Sequence, residues 1–417
     1  MTFDLEAIRA QFPALAIQDD GVRRIYFDNP AGTQVPVSVA VAMSDCLLNA
    51  NANTGGYFAS STAAAEVVQS ARDAMADFLN APSSDEIILG QNMTTITLHM
   101  SRSIGRMLKA GDEIVLSRMD HDANVWPWVL MARDHDLKVR WLPFDTETFE
   151  FDLQSLDEII TSKTRLVCVG GASNLTGTLN DIQAIARRAR EVGALSYIDA
   201  VQSAPHVVTD VQQIGCDFLV CSAYKFFGPH QGILWGRREI LEQLEPYKVR
   251  PAPDELPWCF ETGTPSHEGY AGITAAVDYF ASIGAAMHAG AAQDRRQNLR
   301  DAMQLLFDYE KDLAAHLIDG LQQIPGVVVQ GITAADAMHR RVPTVAITHA
   351  GTDPDAVAQA LAAQNIFVWS GHNYAIEAAT SLGILDKGGA IRIGPVHYNS
   401  REEVDELLDA LPKILSA

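Results

Sequence analysis

The chain has 417 residues, 47% hydrophobic and 20% charged, which is a globular composition and too much chain for one ordinary core. Its formal net charge of −21 argues against nucleic acid or an anionic membrane as partner, while a cleft of different local charge could still take an anionic substrate. No apolar run approaches the ~20 residues a membrane span needs. The opening stretch MTFDLEAIRAQFPAL carries Asp4, Glu6 and Arg9 and does not read as a signal peptide. Five scattered cysteines without a CxxC pair suggest neither a disulfide framework nor a metal site. The expectation is a soluble cytoplasmic protein.

In chain order, residues 5–16 read as a short helix ending near Pro13. A short strand then enters the turn around Asn29, Pro30 and Gly32, which turn chemistry alone explains and a cleft-mouth loop would also explain. Residues 36–49 and 62–80 have helical periodicity, separated by a polar loop that carries Tyr57 and Phe58. A strand at 85–90 leads into a helix whose first turn holds Thr94 and Thr95. Such an end suits a phosphate through free N–H groups and the helix dipole, and it equally suits plain capping. The strand 111–117 ends near His121, beside Asn124 and two tryptophans, which suits either stacking on a flat ring or a capping cluster. Further strands at 137–143, 164–171 and 194–199 alternate with helices at 153–161 and 181–192. The strand 194–199 closes on Asp199, a carboxylate that is costly to desolvate without a cation.

The stretch CSAYKFFGPHQG, 221–232, follows one apolar run and precedes another, and it places Lys225 at a strand end. A buried lysine amine loses its proton readily and attacks carbonyls, so Lys225 reads either as the holder of an aldehyde cofactor through a Schiff base or as a surface lysine at a strand end. Strand–helix alternation from 85 to 235 predicts a parallel α/β sheet. His121, Asn174, Asp199, Gln202, Ser222 and Lys225 all fall at or just after the C-terminal ends of strands, the edge where such sheets bind ligands. Residues 267–286 and 294–323 read as helices. A second, α+β unit follows, with strands near 327–330, 342–347, 366–370 and 390–394. Arg392 lies within the last strand, either as an inward carboxylate clamp or as an edge residue in solvent.

Eight motifs in this order resemble the class V aminotransferase group of fold-type I pyridoxal-phosphate (PLP) enzymes, in particular its cysteine-desulfurase-like branch. They are YFDNPAGTQVP, MTTIT, DHDANVWPW, SNLTGT, IDAVQSAPH, SAYKFFGP, ETGTP and IRIGPVHYNS. The resemblance implies a large domain, 21–290, with a mainly parallel seven-stranded sheet sandwiched by helices. It also implies a smaller α+β domain, 291–417, and an N-terminal segment, 1–20, packed on it. It implies PLP on Lys225, with His121 on the ring face and Asp199 at the pyridinium nitrogen. Asn174 and Gln202 would face the phenolic oxygen, and Thr94, Thr95, Ser222 and Tyr224 the phosphate, with Thr264 lent by the other subunit of a homodimer. Arg392 would bind the α-carboxylate of a small amino acid, with Asn29, Trp369 and Tyr374 as further substrate contacts. The departures lie in three places. Tyr374 stands where desulfurases carry the cysteine that takes sulfur as a persulfide, and no cysteine follows Cys259. Tyr224 replaces a histidine, and Trp369 stands where several relatives have a second arginine. The expectation is lyase, epimerase or transferase chemistry at Cα or Cβ. The alternatives are a PLP-binding regulatory or non-catalytic homologue, or a desulfurase or C–S lyase that releases sulfur directly.

Overall fold

The computed structural model describes residues 3–288 and 293–416. Seven strands form the large sheet: β1 (Ile87–Gly90), β2 (Glu113–Ser117), β3 (Lys138–Leu142), β4 (Thr164–Gly170), β5 (Leu195–Asp199), β6 (Phe218–Ser222) and β7 (Gly232–Gly236), in the spatial order β1-β7-β6-β5-β4-β2-β3. All neighbours run parallel except β7, which is antiparallel to both β1 and β6. The strands are apolar on both faces because helices cover both. Leu89, Val115, Val167, Ile198, Leu219 and Ile233 enter one core. Their chain neighbours Ile88, Ile114, Leu166, Tyr197, Val220 and Leu234 enter the other.

The first core is closed by α1 (Val37–Asn49), α2 (Ala59–Leu79) and α4 (His267–Met287), which pack together. The second is closed in part by α3 (Met93–Gly105), which starts directly after β1. Among the described residues no helix is long and apolar enough to cross a membrane.

A second sheet, β8 (Val327–Val329), β9 (Val345–His349), β10 (Trp369–Gly371) and β11 (Ala390–Ile393), is antiparallel in the order β8-β9-β11-β10. It packs with α5 (Arg295–Gln322) and α6 (Arg401–Leu415) around a third core. The expected boundary between residues 290 and 291 lies outside the described residues. The helix beyond it serves both units: Leu299, Met303 and Leu306 of α5 enter the large core, and Leu313, Leu317 and Leu321 enter the small one. The N-terminal segment also reaches further than residue 20. Ile25–Tyr26 pairs in parallel with Ile366–Phe367, and Ile25 and Phe27 belong to the small core.

Two local expectations change. The stretch 366–370 is two strands, because Phe367 pairs with Tyr26 while Trp369 pairs with Arg392 in the other sheet. The helix expected over 5–16 breaks into Leu5–Arg9 and a separate turn, Pro13–Ala16, since proline has no N–H to continue a helix.

Candidate active site

A cavity opens at the C-terminal ends of β2, β4, β5 and β6, the edge to which a parallel sheet delivers its loops. Lys225 closes a short turn, Ala223–Lys225, just after β6. Its Nζ donates to the carbonyls of Pro30, at 2.5 Å, and Ala31, at 2.9 Å. Burial pulls its pKa from the usual lysine range to about 7. Arg392 reinforces the shift and Asp199 opposes it. Asp199 ends β5, where its Oδ1 accepts the Val201 N–H at 2.9 Å; burial pushes its carboxyl up to about 6 against that bond and against Lys225. His121 Nδ1 accepts the Ala123 N–H at 3.0 Å, which places the proton of the neutral ring on Nε2. Burial, then Lys225 and Arg392, hold its pKa down at about 3, so the ring stays neutral.

The next layer fixes these groups. Asp120 lines the cavity and accepts from the Gly170 N–H at 2.9 Å and from Asn124 Nδ2 at 2.8 Å, while Asn124 Oδ1 accepts from Trp128 Nε1. Its carboxyl is pushed up to about 7, chiefly by burial. Sequence reasoning left Asp120 without a role, although it is an acid at a strand end like Asp199. Gln202 Nε2 donates to the Pro30 carbonyl at 2.8 Å. That carbonyl therefore serves both Gln202 and Lys225, and the turn at 28–32 forms a wall of the site through backbone atoms that no side-chain pattern reveals.

At the other end of the cavity, buried Ser222 accepts the Met93 N–H through Oγ at 3.2 Å. Thr94 lines the cavity in the first turn of α3, whose leading N–H groups have no intrahelical partner. The helix cap is Asn92, whose Oδ1 accepts from the Thr95 N–H and hydroxyl. Thr95 is thereby turned into a neighbouring cavity, which it lines together with Thr264. Within one chain the structure thus separates Thr95 and Thr264 from Lys225. The loop bearing Thr264 is anchored by Glu261, held by both terminal nitrogens of buried Arg72 at 2.9 and 3.0 Å. The Tyr224 ring stacks on His230 and lies 4.9 Å from Lys225 Nζ.

Arg392, on β11, is buried and donates from Nη1 to the Asn174 carbonyl at 2.9 Å. Asn174 Nδ2 in turn donates to the Asn373 carbonyl at 2.7 Å. Arg392 Nε, Asn174 Oδ1 and Asp28 Oδ1 are buried here without hydrogen-bond partners among the described residues. Tyr374 stands at the mouth, its ring parallel to His121 at 5.3 Å, and Trp369 is exposed on β10. Asn29 is engaged elsewhere. Its amide donates to the carbonyls of Tyr26 and Gly394 and to Asn399, and its oxygen accepts from Tyr398. Both N–H donors are occupied in tying the N-terminal turn to 394–399, so the expected substrate contact has no free donor.

The chain matches the Aminotransferase class-V family over residues 25–308 and 302–407. The chain belongs to the class V aminotransferase family. It is 34% identical to a probable cysteine desulfurase of Streptomyces coelicolor, over 99% of this chain and 97% of that protein. It is 32% identical to an aminotransferase-like protein of Gibberella zeae, over 99% of both. Among solved structures, the apo cysteine desulfurase of Thermococcus onnurineus superposes with a TM-score of 0.88 at 27% identity, covering 100% of this chain and 99% of that one. A cysteine desulfurase of Escherichia coli gives 0.83 at 27% identity and the same coverage.

This class V aminotransferase homologue is a PLP-dependent enzyme. Its cavity fits that cofactor. It pairs a near-neutral lysine with a buried acid that has no ion pair among the described residues, a neutral imidazole, and a helix N-terminus with hydroxyls alongside.

Proposed function

We propose that this enzyme acts on an amino acid by removing its α-proton and letting a β-substituent leave directly, without passing sulfur to a cysteine of its own. One observation carries the reading: the loop at the cavity mouth bears Tyr374, and the five thiols lie elsewhere. Cys46, Cys168, Cys216, Cys221 and Cys259 are all buried, burial raises the pKa of each, and none lines the Lys225 cavity. A thiol held neutral is a poor acceptor.

Bound PLP supplies an electron sink for charge developing at the substrate Cα. Lys225 would carry the cofactor and, as a near-neutral amine, accept the Cα proton. Asp199 would face the ring nitrogen, where a cationic N–H compensates its buried charge. His121, fixed by the Ala123 N–H, would pack against the ring. The Thr94 N–H at the start of α3, with the hydroxyls of Thr94 and Ser222, would hold the phosphate. Arg392, with Nε unpaired, would receive the α-carboxylate. A binder without turnover needs no such clamp, which speaks against a regulatory role. The net reaction consumes water and yields a 2-oxo acid, ammonia and the protonated leaving group. We further propose that the enzyme is a homodimer, since Thr264 is exposed on a loop outside its own cavity.

The test uses the holoenzyme with S-substituted cysteines. The thiol, the 2-oxo acid and ammonia should appear in equal amounts. Given free L-cysteine, the holoenzyme should likewise release sulfide, pyruvate and ammonia in equal amounts; alanine accumulating together with a persulfide on any of the five cysteines, detected by mass after alkylation, would refute the reading.

A further inference from the structure

Two exposed aromatic residues, Trp369 and Tyr374, adjoin Arg392 and His121 at the edge of the Lys225 cavity, and among the described residues that line the cavity Lys225 is the one lysine or arginine. Trp369 on β10 lies directly across the ladder from Arg392 on β11. Facing residues on antiparallel strands send their side chains to one side of the sheet, with Cβ atoms about 5 Å apart. Arg392 uses that side to reach the Asn174 carbonyl, so the Trp369 side chain leaves β10 on the same, cleft-facing side as Arg392. Its side chain is half in water, with 51% of the residue exposed. Tyr374 is 66% exposed and parallel to His121.

This placement of Tyr374 is enforced. Asn373 and Tyr374 both adopt left-handed φ angles, +50° and +58°, a conformation L-residues disfavour. Two bonds hold them there: the Asp122 N–H donates to the Tyr374 carbonyl at 2.7 Å, and Asn174 Nδ2 donates to the Asn373 carbonyl. Both donors belong to the segments that flank the cavity, so the backbone carrying the ring is fixed relative to the site. Exposed aromatic surface beside a polar cleft is a binding face.

We infer that the preferred substrate is an amino acid whose β-carbon carries an uncharged, aromatic-sized substituent, with Trp369 and Tyr374 as the specificity-determining walls. The inference rests on the proposed reading of Arg392 as the α-carboxylate clamp. A carboxylate held there leaves the rest of the substrate within reach of the neighbouring indole. An acidic side chain would meet an indole and a phenol where it needs a cation. A short polar one would leave both rings in water.

Calorimetric titration of Lys225→Ala protein loaded with PLP measures affinity without turnover. S-benzyl-L-cysteine should bind about tenfold or more tightly than S-methyl-L-cysteine, from the added apolar burial and ring contact. Trp369→Ala should erase that ratio, Trp369→Phe should keep most of it, and Trp369→Arg should move the preference to L-aspartate. Equal affinities for the benzyl and methyl compounds, or a ratio unchanged in Trp369→Ala, would overturn the inference while leaving the reaction intact. A Trp369→Ala protein that keeps the ratio but halves its mass in light scattering would also overturn it, by making this face a contact with a second copy. If no amino acid binds at all, the proposed function falls as well.

Discussion

Lys225 is a titratable side chain buried at the end of an apolar strand, and its chemistry follows from where the chain puts it. The amine is neutral above about 7, so the rate at which apoprotein takes up PLP should rise with pH through about 7 and then level off. Arg392 depresses that pKa and Asp199 raises it. Arg392→Gln should therefore move the midpoint up, and Asp199→Asn should move it down, both read from the growth of visible cofactor absorption. A midpoint near the ordinary lysine value of 10.5 would contradict the burial described here. Lys225→Ala should lose the absorption band and at least about 10²–10⁴-fold in turnover. At this scale the sequence was readable where a charge interrupts an apolar strand, as at Lys225 and Asp199. It was silent on the Pro30 and Ala31 carbonyls, since backbone acceptors leave no mark on side-chain pattern. It overread Asn29, whose turn chemistry is the same whether its amide faces a substrate or, as here, Gly394 and Asn399.

Among the elements, α5 has the largest structural reach. Glu310 sits fully buried at its middle, between His206, which follows β5, and His397, which follows β11. Its carboxylate takes His206 Nδ1 at 2.7 Å and the His397 backbone N–H at 2.9 Å, and His397 Nε2 meets the Tyr279 hydroxyl at 2.8 Å. Burial alone would raise the Glu310 carboxyl, but His206 and then His397 hold it below its ordinary value. A depressed carboxyl stabilises the fold above its unfolded pKa, and that contribution is lost as pH falls through the folded one. Wild-type melting temperature should thus drop on acidification below about 4.5, and Glu310→Ala should flatten this dependence. The variant should also lose about 3–5 kcal/mol by stripping a buried group of its partner. Calorimetry is the measurement, and an unchanged melting temperature would count against the clasp. The long helices showed through their 3.6-residue apolar repeat and the strands of the large sheet through short unbroken apolar runs, because helices bury both of its faces. The split of 366–370 was hidden, since one short apolar run serves two sheets.

At the scale of the whole molecule, the order of layers followed from strand–helix alternation, whereas the sharing of α5 between two cores did not, because both stripes look alike in sequence. The described surface also leaves Val37, Val41, Leu47 and Leu48 of α1 exposed, with Tyr57 and Phe58 on the adjoining loop. These exposed apolar side chains on one helix and its adjoining loop suit the proposed homodimer. Light scattering should give twice the 45.3 kDa chain mass. Leu48→Glu should shift the protein towards monomer and, if Thr264 serves the other copy's phosphate site, weaken PLP retention in parallel. A monomeric wild type that holds PLP would contradict the assembly.

The reversed strand β7 has a consequence for synthesis. β1, which leads into the first turn of α3, joins the sheet only through β7. A chain emerging from the ribosome therefore cannot set Thr94 against Ser222 until residue 236 has been made, although β1 was made long before. Arg392 arrives later still, near the end of the chain. The nascent protein would acquire a place for its cofactor first and a place for its substrate last, so an incomplete chain could be loaded with PLP while having nothing yet to act upon.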